Sequence, residues 1–412
     1  MAVLRKVVFW SHLIVGVFVA VVVVIMSATG VLLTYQKQMT LWADTRGLDG
    51  TAPSADATRL PMDSLLRVVK ASASATPTSV TVRSQPDAPV EVLLGPSRRV
   101  FVNAYTGAAL GEGSARMRGF FRVVTAWHRT IGATGEHRAR GKAITGAANL
   151  GFLFIVVSGF YLWWPRNWTR RAFASVIAFR RGLSGKARDF NWHNVIGLWS
   201  VAPLFLIVLS GVVISYGWAG RLVYRAMGED PPAPAPAASV SAPAGQRAAA
   251  PEPTIALDGI DGLLAQASLK MPGWRAITFQ LPRESAKTVV FSLDRGTGGQ
   301  PQERAQLTLD RASGEESKWE PFSAQSPGRR ARSFLRFAHT GEYYGLTGQT
   351  IAGLVSLGSL VLVWTGLGLA LRRLATWRAR RARARVEDAP PIGAARVWSD
   401  QSDANGAIRP MV

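Results

Sequence analysis

The chain has 412 residues, 48% of them hydrophobic, and carries a formal charge of +22 without a single cysteine. The lack of thiols excludes disulfides, cysteine zinc sites, iron–sulfur clusters and CxxCH haem attachment, so any cofactor must be held by histidine, carboxylate or backbone. In a soluble chain the charge would suggest nucleic acid; here the apolar residues gather in four uncharged blocks, and basic flanks facing anionic lipid account for it with no nucleic-acid partner.

The blocks Val7–Leu33, Ala143–Trp164, Asn191–Ala219 and Leu346–Leu371 contain no Asp, Glu, Lys or Arg. Each exceeds the roughly 20 residues that cross a bilayer. This predicts a membrane α-helical protein with transmembrane helices at 7–35, 143–165, 191–219 and 346–371. Arg5 and Lys6 precede the first block, but a secretory signal has an apolar core of only about 7–15 residues, so this block reads as an anchor.

Between the first two spans, residues 36–142 hold a helical pattern at Leu60–Ala73 and strand-like runs at Ser79–Arg83, Val90–Leu94 and Val100–Ala104, closing on the turn Tyr105-Thr106-Gly107. A basic lead-in with His128 precedes the second span. Gly132, Gly135 and Gly141 argue against one continuous helix from that histidine into the span. A short basic loop, 166–190, leads to the third span. Residues 220–345 repeat the earlier order after a Pro/Ala-rich stretch, 231–253, expected to be disordered. A helix is expected at Ile255–Ala267, strands at Ala276–Leu281, Thr288–Leu293 and Ala305–Leu309, and a turn at Asp310–Gly314; His339 precedes the fourth span. The tail, 372–412, is basic and then expected to be disordered.

The two halves count alike. From His12 and from His193, Gly stands at +4, Thr29 or Ser210 at +17, Gly at +18 and Tyr at +23. Spans two and four share Gly151 with Gly358 and Gly159 with Gly366. The chain therefore reads as an internal duplication of span, α+β module, histidine, span.

The short loop carries Arg166, Arg170, Arg171, Arg180, Arg181, Lys186 and Arg188 against Asp189, and seven further arginines fall between Arg372 and Arg385, just after span four. The positive-inside rule places this loop and both termini in the cytoplasm and the modules outside. The basic run from Arg116 to Lys142 pulls the other way, but long domains translocate largely regardless of charge.

Only five histidines occur, and His12 and His193 lie inside spans that otherwise lack ionisable groups. An intramembrane ionisable residue is costly, and two at equivalent positions favour function over interhelical packing. Alternating spans put His12 and His193 near one face and His128 and His339 near the other. Paired imidazoles with no carboxylate or thiolate beside them suit the axial positions of haem iron, whereas a bare metal needs three or four protein ligands. His137 is the rival to His128. Arg122, Arg129, Arg332 and Arg336 are candidates for haem propionates, with lipid headgroups as the alternative. Tyr343 and Tyr344 are candidate bridges to an acceptor, with an interfacial aromatic belt as the alternative.

The segments "SHLIVG…TGVLLTY", "WHRTIG…SGFYLWWPR", "WHNVIGLWS…SGVVISY" and "AHTGEYYGLTG…TGLGLALRR" resemble the PepSY-associated transmembrane family, which includes iron-regulated inner-membrane proteins and ferric-siderophore reductases. The resemblance covers about residues 8–375 and makes the two α+β segments PepSY-like periplasmic modules. It implies a bacterial inner-membrane protein holding two haem b on His12, His128, His193 and His339, which passes electrons outward to a periplasmic ferric siderophore or chelate and reduces Fe(III) to Fe(II). No GxGxxG follows a strand, so the donor is expected to be quinol or a separate reductase. Two other readings stand beside it: a non-redox membrane protein whose modules bind or inhibit a periplasmic partner, and a cytochrome b subunit serving another reductase.

Overall fold

The computed structural model describes residues 2–72, 76–95, 98–164, 169–233 and 258–387. In chain order, α1 (Ala2–Leu33) and α2 (Gln36–Thr45) precede α3 (Met62–Ser72) and the strands β1 (Pro77–Arg83), β2 (Val90–Leu94), β3 (Arg98–Val102) and β4 (Ala109–Gly111). Then come α4 (Ala115–Thr130), α5 (Arg138–Trp163), α6 (Arg170–Ile177), α7 (Gly185–Ser215) and α8 (Gly217–Ala226). The second half continues with α9 (Ile260–Lys270), β5 (Ala276–Gln280), β6 (Thr288–Asp294), β7 (Arg304–Asp310), β8 (Glu316–Pro321), α10 (Pro327–His339) and α11 (Gly345–Glu387).

Helices α1, α5, α7 and α11 each contain a stretch long and apolar enough to cross a membrane. α1 packs against α5 and α11, and α7 packs against the same two, which makes a four-helix bundle with α1 and α7 on one diagonal. Large apolar side chains such as Phe18, Val21, Trp199 and Leu354 point outward, as lipid-facing residues should. Several boundaries differ from the sequence expectation: α1 starts at Ala2 rather than 7, α5 starts at Arg138 rather than 143, and α7 ends at Ser215 rather than 219. α7 begins six residues before Asn191, because the buried carboxylate of Asp189 is held by Arg188 and Arg372 and the helix can carry those charges. α11 runs on to Glu387 through the basic tail, whose Ala and Arg residues are strong helix formers. Residues 388–412 and nearly all of the Pro/Ala-rich stretch lie outside the described residues.

The strands do not form two separate modules. They make one antiparallel sheet in the order β4-β3-β2-β1-β5-β6-β7-β8, joined at its centre by β1 and β5 with Val80 opposite Phe279. The pairing removes two edges that separate modules would leave open. Period-two alternation sends Val80, Val90, Val92, Phe279, Val289, Phe291 and Leu293 to one buried face. α3 covers this face with Leu65, Leu66 and Val69, and α9 with Ile260, Leu263 and Ala267, so both halves share one core. The two helices are also tied directly, the Met62 amide donating to the Asp261 carboxylate at 2.6 Å. The outer strands β4 and β8 go unpredicted because "ALG" and "ESKWEP" lack strand periodicity.

Two lead-in helices join the sheet to the bundle. α4 starts at the cap Ser114, whose hydroxyl accepts from the Met117 amide, and stops where Ile131 and Gly132 take positive φ. α10 starts at the cap Ser326 followed by Pro327 and stops at Thr340 before Gly341, φ 74°. After each stop the chain doubles back so closely that a glycine faces backbone: Gly141 against the Thr130 carbonyl, Gly348 against the Gly341 carbonyl. Of the glycines expected to interrupt the helix after His128, Gly132 and Gly135 do so with positive φ, whereas Gly141 lies inside α5.

Candidate functional site

The helix pairings bring the four histidines of interest together in twos. α4 lies on α1 and α5, and α10 lies on α7 and α8. This places the His128 and His339 rings next to each other, centroids 6.2 Å apart and inclined edge-on with planes at 62°. At the other end of the bundle His12 and His193 are close enough to interact electrostatically. Along α1, His12 and the level of the outer pair at Thr29 are 17 residues apart, roughly 25 Å at 1.5 Å per residue. His137 stands exposed in the turn before α5 and faces neither pair.

Each paired imidazole is anchored in the same way, through Nδ1, by a hydroxyl on another helix. His12 meets Ser158 at 2.9 Å, His193 meets Thr365 at 3.0 Å, His128 meets Thr29 at 2.9 Å and His339 meets Ser210 at 3.2 Å. These hydroxyls have one proton each, and each donates it to a carbonyl of its own helix: Ser158 to Phe154, Thr365 to Val361, Thr29 to Ile25 and Ser210 to Ile207. The hydroxyl oxygen is then the acceptor, and Nδ1–H is the donor. Two carbonyls, which can only accept, strengthen this: His128 also donates to Met26 and His339 to Ile207. The tautomer is therefore fixed at all four sites, and Nε2 keeps its lone pair. This is the second-sphere arrangement that orients metal-binding imidazoles.

The outer histidines sit on α4 and α10, outside the spanning helices. Burial lowers the His128 imidazole to about 4, with the charge of His339 adding to the effect, and burial also lowers His339. Both rings are neutral near pH 7, the form that binds metal.

Among the described residues no group of three or more His, Cys, Asp or Glu side chains could hold a metal ion. A two-ligand centre fits better. Two ring nitrogens about 2 Å from one metal, each about 1 Å from its own centroid, put the centroids about 6 Å apart, close to the spacing of His128 and His339. Glycines keep these sites open. A Cβ on Gly159 would stand 3.2 Å from the His12 ring, one on Gly366 3.3 Å from His193, and one on Gly30 3.7 Å from His128. At the fourth position, Gly211, the neighbour is instead Asn149, which donates to the Val208 carbonyl.

The sequence reading names the four imidazoles but not Ser158 and Thr365, and it counts Thr29 and Ser210 as repeat positions without a role. The signal is weak: each of the four hydroxyl residues directly precedes a glycine, at Thr29-Gly30, Ser158-Gly159, Ser210-Gly211 and Thr365-Gly366, but Thr145-Gly146 and Thr347-Gly348 share the pattern. Of the arginines considered for propionates, Arg129, Arg332 and Arg336 line a cavity beside the outer pair, and Arg122 does not. Tyr343 packs edge-on against Phe334, and Tyr344 is exposed.

A family model described as the PepSY-associated TM region matches residues 9–373. The chain belongs to that family. No curated protein matches it. As a PepSY-associated transmembrane protein it is built from four apolar helices carrying a separate antiparallel sheet.

Proposed function

We propose that this PepSY-associated protein is a dihaem electron conduit of the bacterial inner membrane and a reductase of periplasmic ferric chelates. The observation that carries the reading is the fourfold anchoring of Nδ1 by a serine or threonine hydroxyl, which leaves the Nε2 lone pair free on each of the four imidazoles. His12 and His193 would hold one non-covalent haem b, and His128 and His339 the other. When bound, these groups supply one-electron transfer across a thickness that a single cofactor does not span.

The chain's own part is to hold, orient and seal. Thr29, Ser158, Ser210 and Thr365 set the imidazole tautomers, Gly30, Gly159 and Gly366 leave room beside the rings, and the outward apolar faces of α1, α5, α7 and α11 meet lipid. The basic loop before α7 and the basic end of α11 mark the cytoplasmic side, where quinol or a separate reductase gives up an electron. The sheet and its lead-in helices then lie in the periplasm, where Fe(III) in a siderophore or chelate gains that electron and leaves as the more weakly held Fe(II).

The test is an oxidised-minus-reduced visible spectrum of the detergent-purified protein with haem counted per chain. Two b-type haems per chain are expected, one lost on His12→Ala or His193→Ala and the other on His128→Ala or His339→Ala. A colourless protein from cells supplied with haem precursor would sink the reading.

A further inference from the structure

On one side of the outer histidine pair, the ends of α4, α7 and α8 and one face of α10 enclose a cavity of about 470 Å³, within the size range of small-molecule sites. Its charged lining is Arg129, Arg329, Arg332 and Arg336, and Tyr224, Gln325 and Ser333 add neutral polar groups. No carboxylate lines it. Glu229, which sits by the start of α10, is already engaged, accepting from the Ser326 hydroxyl at 2.7 Å and the Gly328 amide at 2.9 Å. Among the described residues none of the four arginines forms an ion pair, although ion pairs are common elsewhere in the chain.

Arg329, Arg332 and Arg336 follow one another at spacings of three and four, which stacks them on one face of α10. Like charges at that spacing repel and destabilise a helix, and Arg129 adds a fourth guanidinium from the other half of the chain. The Arg332 guanidinium lies against Gly220 of α8, 3.6 Å from where a Cβ would stand. All four arginines are exposed on their outer side, so the cavity is open to solvent.

Distance along α10 separates two uses of this charge. Arg336 lies three residues from His339, about 4.5 Å along the helix axis, and Arg129 is next to His128, so both are within reach of a cofactor on those ligands. Arg332 and Arg329 lie seven and ten residues away, about 10 and 15 Å, and helical side chains tilt further toward the N-terminus, away from His339. The outer two guanidiniums serve something else.

We infer that this cavity is a binding site for a soluble polycarboxylate, and that it selects anionic ferric chelates over neutral or cationic ones. The inference rests on the reductase reading for the iron, but the anion site stands on the arginines alone. Planar guanidiniums match carboxylates in bidentate pairs, and the cluster brings an anionic chelate to the solvent side of the outer histidines.

The test is isothermal titration of the full-length, detergent-purified protein with iron-free citrate as the probe, in parallel with the haem count. Wild type is expected to bind citrate, and Arg329→Gln/Arg332→Gln to bind it at least tenfold more weakly with unchanged haem content. Arg329→Lys/Arg332→Lys should recover part of the loss. Wild type that ignores citrate, or a double variant that binds it equally well, overturns the inference. A double variant that loses haem assigns these arginines to the cofactor and overturns it too. Citrate binding abolished in nanodiscs of phosphatidylglycerol but not of phosphatidylcholine assigns the cavity to a lipid headgroup, with the same consequence. Citrate binding to a protein that holds no haem would instead sink the reductase reading and keep the anion site.

Discussion

A serine or threonine inside a membrane helix ordinarily satisfies itself by bonding a carbonyl one turn back. In this chain the same bond has a second consequence, because a hydroxyl that has given away its proton can only accept. Thr365 donates to Val361 and so obliges the His193 Nδ1 to donate to it. Thr365→Ala removes the anchor while leaving the imidazole in place. Loss of such an outer-sphere partner costs roughly 10- to 100-fold in metal-site affinity, so the variant should release haem from the His12–His193 pair at correspondingly lower concentrations of a competing haem acceptor such as apomyoglobin, measured against wild type. His137→Ala should leave both haems and their spectra unchanged; loss of one on that substitution would show that the pairing of His128 with His339 is not the ligating one. His12 and His193 are legible in the sequence because an ionisable group in an uncharged span stands out, and His128 and His339 because each precedes a span. Their anchors are not, since Ser158 and Thr365 are two among many hydroxyl residues whose ordinary role is local.

Individual elements explain why helix lengths alone do not foretell the site. The stop after α4 and the stop after α10 each depend on a glycine pressed against a backbone carbonyl, Gly141 on Thr130 and Gly348 on Gly341. Gly348→Val forces α10 away from α11. Overpacking of this kind costs about 1–3 kcal/mol, and a lower midpoint of thermal unfolding should be accompanied by loss of haem at the His128–His339 pair before the other. The sheet offers a pH-dependent element. The Ser313 and Ala312 amides donate to the Asp310 carboxylate and hold it below the usual carboxylate range. A carboxylate depressed in the folded state stabilises it above the unfolded pKa, and that contribution fades as pH falls through the folded value. Asp310→Ala should therefore destabilise the protein at pH 7 and progressively less in acid, a difference that unfolding midpoints across pH 3–7 would resolve; a pH-independent effect excludes the turn as its source. The lead-in helices themselves are written in the sequence as amphipathic runs, Phe120-Phe121 with Val124 and Trp127 in one and Phe334-Leu335 with Ala338 in the other. Their dense arginines make them read as mere basic flanks.

At the scale of the molecule, the four spans, the histidine pairs and the repeated order of helix and strands are legible, and the union of the two strand sets is not. Periodicity reports which face of a strand is buried, but it carries no information about a partner almost 200 residues away. The pairing is testable because the chain has no cysteine of its own. Thr81 and Thr278 stand opposite each other on β1 and β5 with hydroxyls 2.9 Å apart. Thr81→Cys/Thr278→Cys should cross-link on mild oxidation, seen as loss of free thiols and a disulfide-linked peptide by mass spectrometry. Two free thiols after oxidation would mean that the halves are not joined there.

The strands that lead into α4 and α10 are β4 and β8, the opposite margins of the sheet. Seven strand spacings of about 4.8 Å set those margins roughly 30 Å apart. From there α4, about 24 Å long, and α10, about 20 Å long, slope inward until their last residues bring two imidazoles within a few ångströms. The geometry is that of a pair of calipers whose hinge is the whole width of the sheet and whose tips are His128 and His339. The gap between the tips is thus set from two sides, by the sheet that spaces the starts of α4 and α10 and by the helices α1, α5, α7 and α8 on which they lie.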